Sequence, residues 1–288
     1  MSSKLTALTE STTFSDSDQL YGVIDPGGSP LSRRIQSLTF QRYFPMGQNN
    51  ITGLTLSNNG ADANNDIDIA AGRVGAGTGD YNLILSAART KQLDAAWVVG
   101  TNQGGLDTGA KAVSTWYHVW AIARVDTHVV DVLFSASATA PTMPASYTKK
   151  RRIGAIKTSA AGAILPFLQY GDKFLWTSPP ALDVDGSIAA TRANYPLISV
   201  PAGVAVEALM NVLVSVSTSR AIYFSNPSMA DLTPSIAATP LGQMYTTTMS
   251  EYITQITDTS QNISVRGSGI VTYFRVAVLG WIDPRGKW

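Results

Sequence analysis

Residues 114–156 constrain the fold of this chain most, because they have the pattern of a β-hairpin followed, after a Pro-containing segment, by a third strand. The first strand, 114–124, places large side chains on one face and mostly apolar ones on the other. Those on the first face are Trp116, His118, Trp120 and Ile122. This pattern predicts a central strand that is covered on both sides. Asp126 and Thr127 predict the turn into its antiparallel partner, 129–137.

The composition favours an all-β protein. Only 14% of the 288 residues are charged, which is well below the roughly 25% of an average globular protein. Short runs of β-branched and aromatic residues, separated by Gly, Pro, Asn and Asp, recur along the chain, poor helix formers are plentiful, and glutamate occurs only at Glu10, Glu207 and Glu251. A surface with so few charges also favours an oligomer, in which part of that surface is covered.

The sequence disfavours several function classes. A net charge of +1 provides no long-range field for nucleic acid or for an anionic membrane. The chain has no cysteine, which excludes disulfides and thiolate metal ligands. Its N-terminal residues lack the apolar segment of a secretory signal, and no run approaches the roughly 20 apolar residues of a transmembrane helix. We therefore predict no nucleic-acid binding and no membrane insertion.

Residues 1–37 differ in composition from the rest and are predicted to form an N-terminal arm with one small hairpin. Its first strand contains the apolar positions Leu20, Tyr21, Val23 and Ile24. A turn at 25–28 and a short second strand at 31–35 follow. A hairpin of this size buries too little surface to fold alone, so we expect it to dock on another protein. A frayed terminus is the alternative.

The rest of the chain is predicted to form two β-domains. Residues 38–178 are expected to form a β-sandwich, and residues 181–288 a jelly-roll-like sandwich of many short strands. The segment 177–180, Thr-Ser-Pro-Pro, is the clearest linker between them. Within the second domain, 270–282 is apolar on both faces except for Arg275, which predicts a central strand or one at a subunit interface.

Three segments of the first domain have weaker patterns. Residues 38–47 are expected to contribute a strand. Residues 89–99 fit either helical turns or a strand. Residues 102–108, with two glycines, are predicted to form a turn-rich loop.

Residues 62–68 resemble the beginning of a calcium-binding loop. Asp62, Asn64 and Asp66 occupy its first three ligand positions. The pattern then fails, because Ile67 stands where the loop requires glycine and Arg73 stands where it requires a bidentate glutamate. A solvated loop is the favoured interpretation, calcium stays an open alternative, and no metal or cofactor is predicted.

No catalytic constellation stands out in the sequence. His118 lies among tryptophans and is predicted to be a packed, hydrogen-bonded residue, while His128 is predicted to be exposed. Hydrolysis of a glycan would require two carboxylates about 5–10 Å apart, for which Asp172, Asp183 and Asp185 are available. We predict a protein that is not an enzyme, with a polysaccharide depolymerase as a less favoured alternative.

Two kinds of side chain are candidates for binding surfaces. Residues 149–152, Lys-Lys-Arg-Arg, form the one dense basic run, and charges that protect a sheet edge are its favoured interpretation. Glycan binding would instead use aromatic rings, on which the C–H faces of sugars stack. Trp97, Tyr147 and Trp176 are the candidates for such glycan contacts.

Several blocks of sequence resemble a domain that recurs in tail-fibre and related virion proteins of tailed bacteriophages. The blocks are NNDIDIAAG, TKQLDAAWVVG, GGLDTG, STWYHVWAI, VDVLFSASATAPTMPASYTKKRRIGAI and FLQYGDKFLW. This resemblance covers residues 54–176. Residues 4–35 are similar to the short segments with which many phage fibre proteins begin. Residues 181–288 resemble no family, although their strand pattern is compatible with the jelly-roll tips of phage appendages.

The resemblance implies a component of the virion surface, assembled in the host cytoplasm as a homotrimer. Residues 1–37 would anchor it to other virion proteins. It would be a tail or head fibre that projects from the particle and contacts host cell-surface polysaccharide. A capsid decoration or tail-structural protein without receptor contact is the alternative. The resemblance implies no catalytic residues.

Overall fold

A computed structural model describes residues 19–24, 31–36, 42, 50–235 and 241–287 of the chain. Residues 50–235 and 241–287 form strands, turns and loops and contain no helix. The prediction of an all-β protein is therefore confirmed.

The strands of the described residues are numbered here in chain order. Those of the first part are β1 (Gln19–Ile24), β2 (Leu31–Gln36), β3 (Ile51–Gly53), β4 (Leu56–Asn58), β5 (Asp66–Ile69), β6 (Gly72–Gly75), β7 (Asn82–Leu85), β8 (Arg89–Ala96), β9 (Gln103–Leu106), β10 (Trp116–Arg124), β11 (Val130–Ser135) and β12 (Tyr147–Lys157). Those that follow are β13 (Phe167–Tyr170), β14 (Lys173–Trp176), β15 (Val184–Ile188), β16 (Ala193–Pro196), β17 (Glu207–Ser215), β18 (Arg220–Ser225), β19 (Gln243–Tyr245), β20 (Met249–Ile256), β21 (Asn262–Gly267) and β22 (Val271–Ile282).

The predicted N-terminal hairpin is confirmed, because β1 and β2 pair antiparallel. The four apolar positions proposed for anchoring, Leu20, Tyr21, Val23 and Ile24, all lie on β1. Their role in anchoring stays a prediction. The turn at 25–28 lies outside the described residues. So does the strand expected at 38–47, apart from Arg42, where the backbone is helical and the expectation of a strand is wrong.

The hairpin that starts at residue 114 forms the centre of a sheet with the strand order β12-β10-β11-β9-β8-β5-β4. β10 pairs antiparallel with both β11 and β12. Its residues from Trp116 to Ala123 are all buried. One face packs into the main hydrophobic core, and the other belongs to a smaller cluster around Trp120 and Ile122. A central strand covered on both faces is thus confirmed.

The prediction of a turn-rich loop at 102–108 is wrong. Most of this segment forms β9, which runs parallel to both β8 and β11. The glycines that indicated a turn instead allow close approach of neighbouring strands. A Cβ atom on Gly104 would lie 2.0 Å from the carbonyl oxygen of Ala96, and one on Gly105 would lie 2.7 Å from a ring carbon of Phe134. Residues 89–99, whose pattern fitted either helical turns or a strand, contain the strand β8.

A second layer covers this sheet. β3, β6 and β7 form a three-stranded antiparallel sheet, and β7 lies against β10 and β11. Leu83 and Leu85 of β7 are 0% and 2% exposed and belong to the same core as Val119 of β10. The two layers form a β-sandwich, as predicted, from strands between β3 and β12. The predicted bounds of 38–178 stay a prediction, because β13 and β14 join the sheet of β22 instead.

The strands from β15 to β22 form an eight-stranded jelly roll. The chain passes back and forth between two sheets, whose strand orders are β15-β22-β17-β20 and β16-β21-β18-β19. Phe274 on β22 contacts Tyr195 and Phe224 of the opposite sheet, with ring centroids 5.2 and 6.1 Å apart. The sheets therefore pack face to face, and β22 lies centrally in its sheet. Both the jelly-roll-like domain and its central last strand are confirmed.

The two β-rich parts share a sheet and a core. β13 and β14 precede the linker at 177–180, yet β14 pairs with the end of β22 and extends the jelly roll. Next to this pairing, Trp116, Trp176 and Trp281 pack together with ring centroids 5.0 to 5.8 Å apart. Buried residues from both sides of the linker thus form one hydrophobic core. The division into two domains at the linker stays a prediction.

Candidate functional site

A buried ion pair joins β12 to the residues that follow β22. Arg152 donates hydrogen bonds from Nη1 and Nη2 to Oδ1 and Oδ2 of Asp283, at 2.6 and 2.7 Å. The two side chains are 4% and 0% exposed. Burial by itself would raise the pKa of Asp283, but the charge and hydrogen bonds of Arg152 outweigh it and hold that pKa below its ordinary value. Asp283 therefore stays ionised and neutralises Arg152.

His118 on β10 completes this cluster as a hydrogen-bond acceptor. Arg152 Nε donates to His118 Nδ1 at 2.9 Å, so this nitrogen carries the lone pair. Burial and the charge of Arg152 lower the pKa of His118 to about 3. The imidazole is therefore neutral near pH 7 and supports the ion pair rather than serving as an acid or base. The prediction of a packed, hydrogen-bonded His118 is confirmed.

Arg285 fixes the chain after β22 against the first β-sandwich. Its Nε donates to the carbonyl oxygen of Ile153 at 2.7 Å, and its Nη2 donates to that of Leu54 at 2.7 Å. In return, Arg151 Nε donates to the carbonyl oxygen of Arg285 at 3.0 Å. Sequence reasoning missed this contact, because charged residues after a last strand have the pattern of an exposed end.

A cavity of about 460 Å³ lies beside this cluster, at the junction of the two β-rich parts. Its lining includes Trp120, Lys150, Arg151, Val204, Pro284 and Gly286. Lys150 Nζ lies 5.4 Å from the centre of the Trp120 ring and donates to the carbonyl oxygen of Thr139 at 3.4 Å. Among the described residues, neither Lys150 nor Arg151 forms an ion pair. The cavity thus combines apolar walls with two uncompensated cations.

The basic run of β12 is divided between surface and interior. Lys149 and Lys150 are half-buried, whereas Arg151 and Arg152 are only 3% and 4% exposed. β12 is an edge strand of its sheet, as the run had indicated. The interpretation of all four charges as edge protection is wrong for the two arginines, because one is in the buried ion pair and the other lines the cavity.

The structure brings together two of the three aromatic residues predicted to bind glycan. The rings of Trp97 and Tyr147 meet edge to face with centroids 5.1 Å apart, and Lys91 Nζ lies 5.4 Å from the Trp97 ring. Trp97 is half-buried and Tyr147 is 7% exposed. Trp176 lies apart from them, is 6% exposed and packs in the tryptophan cluster at the junction. Glycan binding by these residues stays a prediction.

The loop that resembled a calcium site is stabilised by its own hydrogen bonds. Both carboxylate oxygens of Asp62 accept hydrogen bonds from Asn65, and Asp68 accepts one from the hydroxyl of Thr90 at 2.6 Å. Burial, followed by the charge of Asp62, raises the pKa of Asp66. In the described residues, no group of three or more His, Cys, Asp or Glu is arranged to hold a metal ion.

The three aspartates available for glycan hydrolysis all have partners in the fold. Asp172 pairs with Lys287, and Asp185 pairs with Arg275 at 2.8 Å. Asp183 accepts a backbone hydrogen bond at 2.8 Å, and burial raises its pKa. These contacts explain the three carboxylates as parts of the structure, and a catalytic role for them is untested.

Comparison with known proteins finds no match: no protein-family model, no curated protein and no solved structure is significantly similar to this chain. The described part of the chain has no helix of the length and apolarity needed to cross a membrane. The fold and site define an all-β protein with a jelly roll and a cationic cavity at the junction with a second β-sandwich. Any function must be argued from these features.

Proposed function

We propose that this chain is a non-catalytic structural protein of a tailed-bacteriophage particle, a tail or head fibre that projects from the virion. The eight-stranded jelly roll from β15 to β22 is the observation that carries the proposal. Jelly rolls are common in viral capsid and lectin domains. A fold does not by itself imply a function. The resemblance of residues 54–176 to fibre domains is a second line of support, because it concerns a different part of the chain.

A homotrimer is part of this proposal. Large apolar side chains remain exposed on the described surface, and two of them, Tyr252 (57%) and Ile256 (54%), lie on β20. β20 is an edge strand of its sheet. An edge strand with exposed apolar side chains is a surface that another chain can cover. The low charge content of the chain supports such covering.

The full chain is expected to be a trimer in solution, with three times the 30.6 kDa mass of one chain. Light scattering coupled to size-exclusion chromatography at micromolar concentration measures this mass. If β20 lies in the interface, Tyr252→Glu should shift the mass towards the monomer, since it would bury an unpaired charge. Tyr170→Glu is the matched control, because Tyr170 is 65% exposed on β13 at the opposite edge. A clean monomer for the unaltered chain would contradict the trimer.

Attachment and receptor contact are tested on phage particles. Particles made with a chain that lacks residues 1–37 should not incorporate it, since these residues are proposed to anchor it. Preincubation of host cells with the purified full chain should reduce phage adsorption. Normal incorporation without competition for adsorption would instead favour a capsid decoration or tail-structural protein. Release of oligosaccharides from host polysaccharide by the purified chain would contradict the proposal that the protein is not an enzyme.

A further inference from the structure

The cavity at the junction contains a buried cation that the fold does not neutralise. Arg151 is 3% exposed, and its Nη2 is inaccessible to solvent and lacks a hydrogen-bond partner in the described part of the chain. Burial lowers the pKa of Arg151, and no carboxylate of the described residues opposes that effect. The neighbouring arginines differ, because Arg152 pairs with Asp283 and Arg285 lies 3.8 Å from Asp172. Buried charges are normally paired with a counter-ion, so an anionic ligand would supply the partner that the guanidinium of Arg151 lacks.

We propose that this cavity binds the carboxylate of an acidic sugar residue. Arg151 and Lys150 supply the positive charge, and the apolar walls receive the ring of the sugar. Because Nη2 is covered in the free chain, binding requires the guanidinium to turn towards the cavity that Arg151 lines. Lys150 stands at the wall already, between the Trp120 ring and the carbonyl oxygen of Thr139.

The composition of the walls favours a carboxylate on an organic ligand over a free inorganic anion. A carboxylate is planar and matches the two parallel donors of a guanidinium. Val204, Pro284 and Trp120 offer apolar surface on which the C–H groups of a sugar ring pack. Inorganic phosphate is more highly charged and strongly hydrated, and it would leave this surface uncovered. Arg152 supplies no net charge to the cavity, because Asp283 neutralises it and each of its three nitrogens already donates a hydrogen bond to Asp283 or His118.

The identity of the sugar as part of a host surface glycan rests on the proposed function, whereas binding itself is a property of the purified chain. The two are therefore tested apart. If the chain binds no acidic sugar but still competes for adsorption, the carboxylate site is overturned and the fibre function stands. If it binds acidic sugar but does not compete, the carboxylate site stands and receptor contact fails.

The test is calorimetric titration of the full chain with glucuronate, with glucose as the matched neutral sugar and with inorganic phosphate. Glucuronate is expected to bind with a Kd on the order of 1 mM, since the turn of the guanidinium offsets part of what its contacts with the carboxylate contribute. Glucose and phosphate are expected to bind at least about tenfold more weakly, since each lacks one of the two recognised features. Equal binding of glucose or phosphate, or no binding of glucuronate, overturns the proposal.

Three variants separate binding from folding. Arg151→Met should weaken glucuronate binding at least about tenfold. The variant also loses the hydrogen bond from Nε to the carbonyl oxygen of Arg285, which opposes the gain from removing a buried charge, so circular dichroism at the titration temperature checks that it is folded. Gly77→Leu should also abolish binding by filling the cavity, since among the described residues a Cβ at Gly77 would approach the carbonyl oxygen of Lys150 at an ordinary contact distance of 3.7 Å. Lys149→Met is the matched control, because it removes a charge of the same basic run that does not line the cavity. Unchanged binding in Arg151→Met or Gly77→Leu overturns the proposal, as does an equal loss in Lys149→Met.

Discussion

Replacement of Asp283 by asparagine is expected to lower the free energy of unfolding by about 3–5 kcal/mol, the usual cost of breaking a buried ion pair from one side. Asp283 is fully buried and accepts both terminal nitrogens of Arg152. Its neutralisation would leave the guanidinium as an unpaired charge between β12 and the end of β22. Because these segments belong to different sheets, the loss should appear throughout the molecule. Chemical denaturation followed by tryptophan fluorescence and circular dichroism measures it.

The matched control for Asp283→Asn is Asp185→Asn. Asp185 also pairs with an arginine, Arg275, at 2.8 Å, but their side chains are 57% and 39% exposed. Solvent screens such a pair, so this variant should change stability little. Adding Arg152→Met to Asp283→Asn should recover part of the loss, since no charge would then remain buried in the pair. Equal destabilisation by the two single variants would contradict the assignment of the buried pair as the critical contact.

The strands of both β-rich parts could be predicted because their signal is local. In β10 and β22, apolar side chains occupy both faces over nine and twelve residues, and this pattern needs no knowledge of the partner strands. β9 could not be found in the same way. A pair of glycines such as Gly104 and Gly105 is expected both in a turn and in a strand that neighbouring groups approach closely. The positions of Ala96 and Phe134, which the sequence does not show, distinguish the strand from the turn.

The buried ion-pair cluster could not be predicted, because its partners are 131 residues apart in the chain. A charged residue is expected at the surface unless its counter-ion is known, and that expectation led to the interpretation of the basic run as edge protection. One local signal was available. The run continues directly into the apolar residues Ile153 to Ile156 of β12, so a strand that enters the core carries its arginines inward. The cavity was equally hidden from the sequence, because Pro284 and Gly286, which line it, are held there by the long-range contacts of their neighbours Asp283 and Arg285.

A decrease in pH from 7 to 4 is expected to remove about 3 kcal/mol of stability through His118 alone. The pKa of His118 is about 3 in the folded chain, against an ordinary value of 6.5. Between these values the unfolded chain binds a proton that the folded chain does not bind. The contribution of His118 is therefore fully present above pH 6.5 and is lost as the pH falls from 6.5 towards 3. Asp283, with its lowered pKa, contributes a further loss only below the ordinary aspartate pKa of 3.8.

The His118→Asn variant isolates this effect, because an asparagine side chain does not titrate and its oxygen can accept the hydrogen bond from Arg152. Denaturation curves at pH values from 7 to 4 should show a smaller pH dependence for this variant, by up to about 1.4 kcal/mol per pH unit. His128→Asn is the control, because the φ of His128 is 60° and asparagine adopts such a φ readily. The prediction of an exposed His128 is wrong, since this residue is half-buried and its Nδ1 lies 3.1 Å from the hydroxyl of Tyr81. Burial lowers the pKa of His128 as well, but to a smaller extent than that of His118, so its replacement should change the slope less. The same slope in His118→Asn and in the unaltered chain would contradict the assignment of a neutral His118 that accepts the hydrogen bond from Arg152 in the folded state.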